Sequence, residues 1–347
     1  MAWATPNRER RVLKAGHSSI AVTLPKPWAE AMNLRPGDLV VFDQNDDGAL
    51  YLKPAPTPGS NASAPPYLVQ APSFDTDGVL ERLIVGAYRA GHDAIEIRTG
   101  SALGPERVEE VVGAARGLLG VSVVAQEPNR VLLQNFIDPS KYGLPQLVQR
   151  MKMILVAFLE EMEGVVQRRA PSRRGATLEE EAKKVLSLLV RQLFLASRDW
   201  SLARRIGSPD PRQLLEWRVV VHALEELTSY YDEALALLNE EADKLGSEVA
   251  GPLGDRLPEL KGRLKDVVEA LMHRSLQRAC EVYQENGAVQ RIGWDPRRSL
   301  GPGRGPASAR LARHLLERSG LCVDLLAELA IDRAVAAGNE TVLVGAA

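Results

Sequence analysis

A proline-rich segment constrains the fold of this chain more than any other feature of its sequence. Residues 54–66, PAPTPGSNASAPP, contain five prolines among small and polar residues. Proline lacks an amide hydrogen and small residues bury little apolar surface, so this composition is typical of a semi-extended linker. The 347-residue chain is therefore predicted to fold in separate parts, and the first domain covers residues 1–53.

Composition and charge narrow the class of protein. Apolar residues make up 45% of the chain and charged residues 25%, as in ordinary globular proteins. The formal net charge is −2, so any contact with nucleic acid depends on a local basic patch. The N-terminus lacks the apolar segment of a signal peptide, and Cys280 and Cys322 lie within helical patterns. We predict a cytoplasmic protein with reduced thiols and no membrane insertion.

The periodicity of apolar residues changes once after the linker. Residues 67–138 alternate β-branched runs with amphipathic stretches in the order βαβαββ, which predicts a small α/β sandwich. From residue 143 to 347 apolar residues recur at helical spacing, which predicts helical bundles. Within this half we expect one helix over 257–286 after a Gly-Pro-Leu-Gly break, followed by a flexible connection at 293–306.

The first domain contains too few residues to enclose a core of its own. Residues 18–41, SSIAVTLPKPWAEAMNLRPGDLVV, place a β-branched run before Leu-Pro-Lys, then a short helical stretch, then a Pro-Gly-Asp turn. Isolated hairpins of this size are marginally stable in water. We therefore expect residues 10–53 to form a homodimer by strand exchange, with one core shared between two copies.

This stretch resembles the AbrB/SpoVT family of swapped-hairpin proteins. The residues that carry the resemblance recur in the order of the family's pattern: Gly16, Ser18, Val22, Leu24, Pro25, Lys26, Trp28, Leu34, Gly37, Asp38 and Val40. The resemblance implies a dimeric β-barrel that presents basic residues near its first strand to DNA. The candidate DNA-binding residues are Arg8, Arg10, Arg11, Lys14, His17, Ser18, Ser19 and Lys26. Charged residues also protect exposed strand edges from aggregation, which is the alternative interpretation of this patch.

Three segments of the helical half resemble the PhoU family. They are LLVRQLFLASRD at 188–199, HALEELTSYYDEALALL at 222–238 and HLLERSGLCVDLLAELA at 314–330. In that family a glutamate and an aspartate four residues later lie on one helix face and bind metal ions. Here Glu225 is followed by Ser229, and Glu317 by Leu321. Serine is a poor ligand for a hard cation and leucine is none, so we predict no metal cofactor, with weak metal binding as the alternative.

The sequence thus predicts a multidomain fold: an N-terminal swapped-hairpin β-barrel, a small α/β sandwich and a C-terminal all-α PhoU-like helical bundle. The two resemblances imply a dimeric DNA-binding transcription regulator of phosphate uptake. The alternative is an adaptor that restrains a phosphate transporter or sensor kinase and uses the hairpin for dimerisation alone. A folded extension after the hairpin argues against an antitoxin. Since no segment combines a nucleophile, a base and oxyanion donors, we do not expect an enzyme.

Overall fold

The computed structural model of the chain describes residues 9–44, 48–55, 65–70, 78–291 and 307–338. The chain divides into two compact units, Met1–Ser63 and Ala64–Ala347. The boundary lies in the predicted linker, of which residues 56–64 fall outside the described residues. The predicted flexible connection at 293–306 also falls outside them. No helix within the described ranges has the length and apolar character needed to cross a membrane.

The first unit consists of two small hairpins and one short helix. Strand β1 (Leu13–Ala15) pairs with β2 (Ser19–Ala21), and β3 (Val40–Gln44) pairs with β4 (Leu50–Pro54), in two separate antiparallel sheets. Helix α1 (Lys26–Ala31) begins directly after Pro25. None of the described residues of this unit is buried. As predicted, one copy of these hairpins encloses no core.

The second unit begins with a mixed four-stranded sheet and two helices, in the predicted order βαβαββ. The sheet has the strand order β5-β6-β8-β7, with β5 parallel to β6 and the other pairs antiparallel. Burial alternates along β8, so one face of the sheet is covered. There α2 and α3 pack against each other and share a core with the strands. The elements are β5 (Tyr67–Gln70), α2 (Val79–Arg89), β6 (Ala94–Arg98), α3 (Pro105–Arg116), β7 (Val121–Glu127) and β8 (Arg130–Asn135).

The remainder of the second unit is helical. The helices are α4 (Leu144–Arg168), α5 (Gly175–Ala196), α6 (Trp200–Arg205), α7 (Pro211–Glu240), α8 (Ser247–His273), α9 (Leu276–Arg291) and α10 (Ala307–Ala337). Helix α7 packs against α4, α5 and α10, and α8 packs against α4 and α10. Buried leucine and valine side chains on these faces form one core, continuous with that of the sheet. The predicted fold class is thus observed: a small strand region followed by a largely helical part that contains a small sheet.

The prediction of one helix over 257–286 is wrong at both ends. Helix α8 begins at Ser247 and continues through Gly251 and Pro252, because Leu253 and Leu257 are completely buried and their packing outweighs the missing proline hydrogen bond. It ends at His273, because the next residue, Arg274, adopts a left-handed conformation with φ of 52°. A separate helix, α9, then begins at Leu276.

One buried arginine connects the sheet region to the helices. Arg191 of α5 donates hydrogen bonds from Nη1 to the backbone oxygens of Tyr88 (2.7 Å) and His92 (2.9 Å). Its Nη2 donates to a carboxylate oxygen of Asp93 at 2.5 Å. The guanidinium carbon also lies 4.8 Å from the centroid of the Tyr88 ring. Because these acceptors follow or end α2, the arginine ties the C-terminal end of α2 to the helical core.

Candidate nucleic-acid interface

The candidate DNA-binding cations of the first strand lie on exposed backbone. Arg10 and Arg11 precede β1, and Lys14 is the central residue of that strand. Arg8 falls outside the described residues. All three described side chains are exposed, and the Nη1 group of Arg10 donates to the backbone oxygen of Glu9 at 3.4 Å. Three cations thus follow one another along five residues of accessible chain, in reach of a phosphate backbone.

A tight turn presents the candidate polar residues beside this strand. Gly16 has φ of 76°, a left-handed conformation that glycine adopts without steric cost. His17 and Ser18 complete the turn, and Ser19 opens β2 opposite Ala15. All of these side chains are exposed. The hairpin therefore projects an imidazole and two hydroxyl groups from its tip, next to the basic strand.

Lys26 differs from the other candidates because its ammonium group forms an ion pair with a glutamate. It is the first residue of α1, and its Nζ lies 3.7 Å from Oε1 of Glu30 one turn later. Their side chains are 87% and 66% exposed, so solvent screens this pair. Lys26 remains accessible for a phosphate contact, with a carboxylate competing for it.

Large apolar side chains of the first unit are exposed in its strands and in the segments next to them. They are Val12, Leu13, Ile20, Val22, Leu24, Met32, Leu39, Val41, Phe42, Leu50 and Tyr51. Ile20 and Leu39 are each 76% exposed, although both belong to apolar runs that the sequence would place inside a core. Such a concentration of exposed apolar surface is characteristic of a surface that another molecule covers.

Residues 13–60 match the family model described as antidote-toxin recognition MazE, bacterial antitoxin. The first unit contains a MazE/AbrB-like domain. The match includes Lys14, His17, Ser18, Ser19 and Lys26 and begins after Arg10 and Arg11. Neither the curated proteins nor the solved structures contain a significant match to this chain. The comparison thus identifies the domain of residues 13–60 and does not extend to the helices.

The two glutamates of the predicted degenerate metal positions lie beside arginines. Nη1 of Arg89 is 3.3 Å from Oε1 of Glu225, and Nη1 of Arg218 is 3.6 Å from Oε2. Ser229 uses its hydroxyl to donate to the backbone oxygen of Glu225 at 3.2 Å. These contacts occupy the carboxylate with cations.

Glu317 lies in a similar arrangement on α10. Nε of Arg313 is 3.2 Å from Oε1 of Glu317, and Leu321 is 46% exposed. Across the described ranges, no cluster of three or more histidine, cysteine, aspartate or glutamate residues could hold a metal ion.

Sequence reasoning did not find the arginines around Glu225. Arg218 lies seven residues before Glu225 on the same helix, a spacing that brings two side chains to one face. Arg89 comes from α2 and lies more than a hundred residues away along the chain, so no local pattern predicts its approach.

Proposed function

We propose that this chain is a dimeric DNA-binding regulator whose MazE/AbrB-like domain folds together with a second copy. One observation carries the proposal: the strands of this domain expose large apolar side chains, and none of its described residues is buried. Burying apolar surface contributes about 25 cal/mol per Å², so exposed strands of this kind favour association. A second copy supplies the complementary apolar strands, since each chain carries the same ones.

Dimerisation doubles the basic patch. Each chain contributes Arg10, Arg11 and Lys14 near the first strand, so two chains bring six cations to one surface. These side chains would neutralise phosphates and supply affinity without sequence preference, while His17, Ser18 and Ser19 at the turn reach base edges. The whole chain is slightly acidic, with a formal net charge of −2, so binding depends on this local patch.

The proposal is tested by the salt dependence of DNA binding. We expect the triple variant R10A/R11A/K14A to bind duplex DNA more weakly than the native protein. The slope of log K against log salt should fall by up to about five, at roughly 0.9 for each phosphate that is no longer neutralised. The matched control is R150A/K244A/R313A, which removes three exposed cations of the second unit and should bind like the native chain. An unchanged slope in the first variant would contradict DNA binding by this patch.

A second candidate function comes from the name of the matching family. Toxin recognition by MazE supports a role in which this domain, or the chain after it, binds and neutralises a partner protein. The match extends to residue 60, six residues beyond the end of β4, so it includes part of the proline-rich segment. Purification of the native protein with a stoichiometric partner, released when residues 55–66 are deleted, would favour this function over DNA binding.

We further propose that the helices act as the signalling or partner-binding part of the regulator. The sequence resemblance of three helical segments to PhoU supports phosphate uptake as the regulated process. Genome-wide recovery of bound DNA tests this: fragments upstream of phosphate-transport genes would support it, and their absence from the bound set would exclude it. An adaptor would instead retain a transporter or sensor kinase when R10A/R11A/K14A removes the basic patch.

A further inference from the structure

Glu225 lies at the centre of a junction between three helices of the second unit. Its carboxylate faces Arg89 from α2 and Arg218 from its own helix, α7. Nδ1 of His222, one turn earlier on α7, is 4.0 Å from Oε2 of the same carboxylate. From α5, the hydroxyl of Ser187 accepts hydrogen bonds from Nε and Nη2 of Arg89 at 3.4 and 3.3 Å. Contacts of 4.0 Å or less thus connect five polar side chains around Arg89 and Glu225.

Positive charge exceeds negative charge in this region. Glu225 is the carboxylate that pairs with Arg89 and with Arg218 in the described part of the chain. Arg82, seven residues before Arg89 on α2, is exposed and makes no ion pair with a described residue. Two guanidinium groups therefore contact one carboxylate, and Arg82 is close enough to Arg89 to influence it electrostatically.

The guanidinium groups of Arg82 and Arg218 influence the pKa of Arg89. Burial lowers the pKa of Arg89, Glu225 raises it, and both Arg82 and Arg218 lower it again. The last two effects are repulsions between cations, and Glu225 acts against them. An additional anion placed between these groups would relieve the repulsion.

The cluster is also accessible. The side chains of Arg89 and Glu225 are 22% and 23% exposed, Arg218 is 47% exposed and His222 is 60% exposed. Part of each group is therefore in contact with solvent, while Arg89 is held in place by Ser187. A partly buried, oriented guanidinium is the type of group that binds oxyanions with paired hydrogen bonds.

We propose that this junction, called here the Arg89 cluster and formed by Arg89, Arg218, His222 and Ser187 around Glu225, binds a small oxyanion such as phosphate or sulfate. Glu225 acts as the internal counter-anion, and the ligand displaces it from the two arginines. The oxygens of the ligand accept hydrogen bonds from the guanidinium groups, while the buried Ser187 holds Arg89 in position. The site lies within the second unit, so this inference does not depend on the MazE/AbrB-like domain.

Because Glu225 competes with the ligand, removing its charge should raise the affinity for phosphate. If Glu225 competes with the ligand, then E225Q should bind inorganic phosphate about tenfold more tightly than the native chain, because the arginines are freed from their competing partner. R218A should bind it about tenfold more weakly, because this variant removes one charged hydrogen-bond donor. A cluster that merely joins α2 to α7 would show neither change in affinity.

The experiment is a calorimetric titration of the full-length chain with inorganic phosphate at constant ionic strength. Sulfate and a nucleoside monophosphate are titrated in parallel, to separate free oxyanions from a phosphate carried on a nucleotide. R313A and E317Q are the matched controls, since they change another partly exposed arginine–glutamate pair on α10 and should leave phosphate binding unchanged. R10A/R11A/K14A should also bind normally, which separates this site from the basic patch of the first unit.

The possible results decide the proposal in either direction. Saturable binding that tightens in E225Q, weakens in R218A and is unchanged in both controls supports it. No saturable binding by the native chain overturns it, as does E225Q binding phosphate no more tightly than native. Because Arg218 and Glu225 lie at the solvent-accessible side of the junction, both variants should keep the fold, and circular dichroism verifies this before each titration.

Discussion

At the scale of single residues, two charged side chains are buried for opposite reasons. Arg191 is 2% exposed and satisfies two backbone oxygens and a carboxylate at the end of α2. Glu96 of β6 is 3% exposed and accepts hydrogen bonds from Arg98 and from Arg130, whose Nε lies 3.0 Å away. Arginine supplies enough donors to satisfy several acceptors at once, whereas the carboxylate has several acceptor sites and here receives its hydrogen bonds from two arginines.

Replacing Arg191 with leucine should strongly destabilise the second unit. The backbone oxygens of Tyr88 and His92 and the carboxylate of Asp93 would all be left without this donor. We expect the free energy of unfolding to fall by about 3 kcal/mol. Urea denaturation measures it, with R150A as the control because Arg150 forms an exposed pair with Glu181 worth about 0–1 kcal/mol. An equal fall in the two variants would contradict this role.

Glu96 should make the free energy of unfolding of the second unit dependent on pH. The hydrogen bond from Arg130 holds the pKa of Glu96 below its usual 4.5, and the hydrogen bond from Arg98 lowers this pKa by a smaller amount. A carboxylate with a lowered pKa in the folded state stabilises the protein above pH 4.5, and this contribution disappears as the pH falls through the folded-state pKa.

The variant E96Q tests this dependence. It should be less stable than the native chain at pH 7, and the difference should shrink as the pH is lowered below 4.5. Urea denaturation at a series of pH values between about 3 and 7 measures both curves. Parallel curves for the two proteins would show that Glu96 does not contribute in this way.

At the scale of elements, the turn between α3 and β7 depends on one glycine. Gly120 has φ of 73°, and its backbone oxygen accepts a hydrogen bond from the amide of Phe136 at 2.8 Å. A Cβ at this position would overlap Ile137, whose Cδ1 would lie only 2.8 Å from it. The turn therefore requires both the left-handed backbone and the absence of a side chain.

Alanine at position 120 should consequently destabilise the sheet region. We expect G120A to lower the free energy of unfolding by about 2 kcal/mol or more, from left-handed strain and overpacking together. G100A is the matched control, because a Cβ at Gly100 would meet no atom within 4 Å. Thermal unfolding measures both, and a G120A protein as stable as G100A would show that the turn adapts.

At the scale of the whole molecule, the two units differ in what they bury. The second unit has a continuous core of leucine, valine and aromatic side chains. The first unit exposes its apolar strand residues instead. Under the proposed dimerisation its stability depends on association, whereas that of the second unit comes from its own packing.

Unfolding should accordingly show two transitions with different concentration dependence. We expect the transition of the first unit to move to higher temperature as protein concentration rises, because dimers dissociate on unfolding. The transition of the second unit should keep its midpoint. Calorimetry over a hundredfold range of protein concentration measures the midpoints of both transitions. The variant I20D places a charge at Ile20, which is 76% exposed, and should abolish the first transition alone. A first transition independent of concentration would exclude association of this domain.

Much of the architecture was predictable because it depends on local periodicity. Alternation of apolar residues and the Pro128-Asn129 turn identified the last hairpin of the sheet, and the helical spacing after residue 143 identified the helical half. Helix ends were less predictable. Pro252 favours a break, yet the helix continues there because Leu253 and Leu257 are buried in the core, and this packing stabilises the helix.

By itself, the sequence determined the order of the elements in the second unit and a first unit without a core of its own. These properties depend on composition and spacing along the chain. Only the tertiary structure decided the surroundings of Glu225 and Arg191, because Arg89 and Tyr88 reach them from distant parts of the sequence. At Glu225, where the sequence already predicted no metal cofactor, the fold places Arg89 and Arg218 beside the carboxylate.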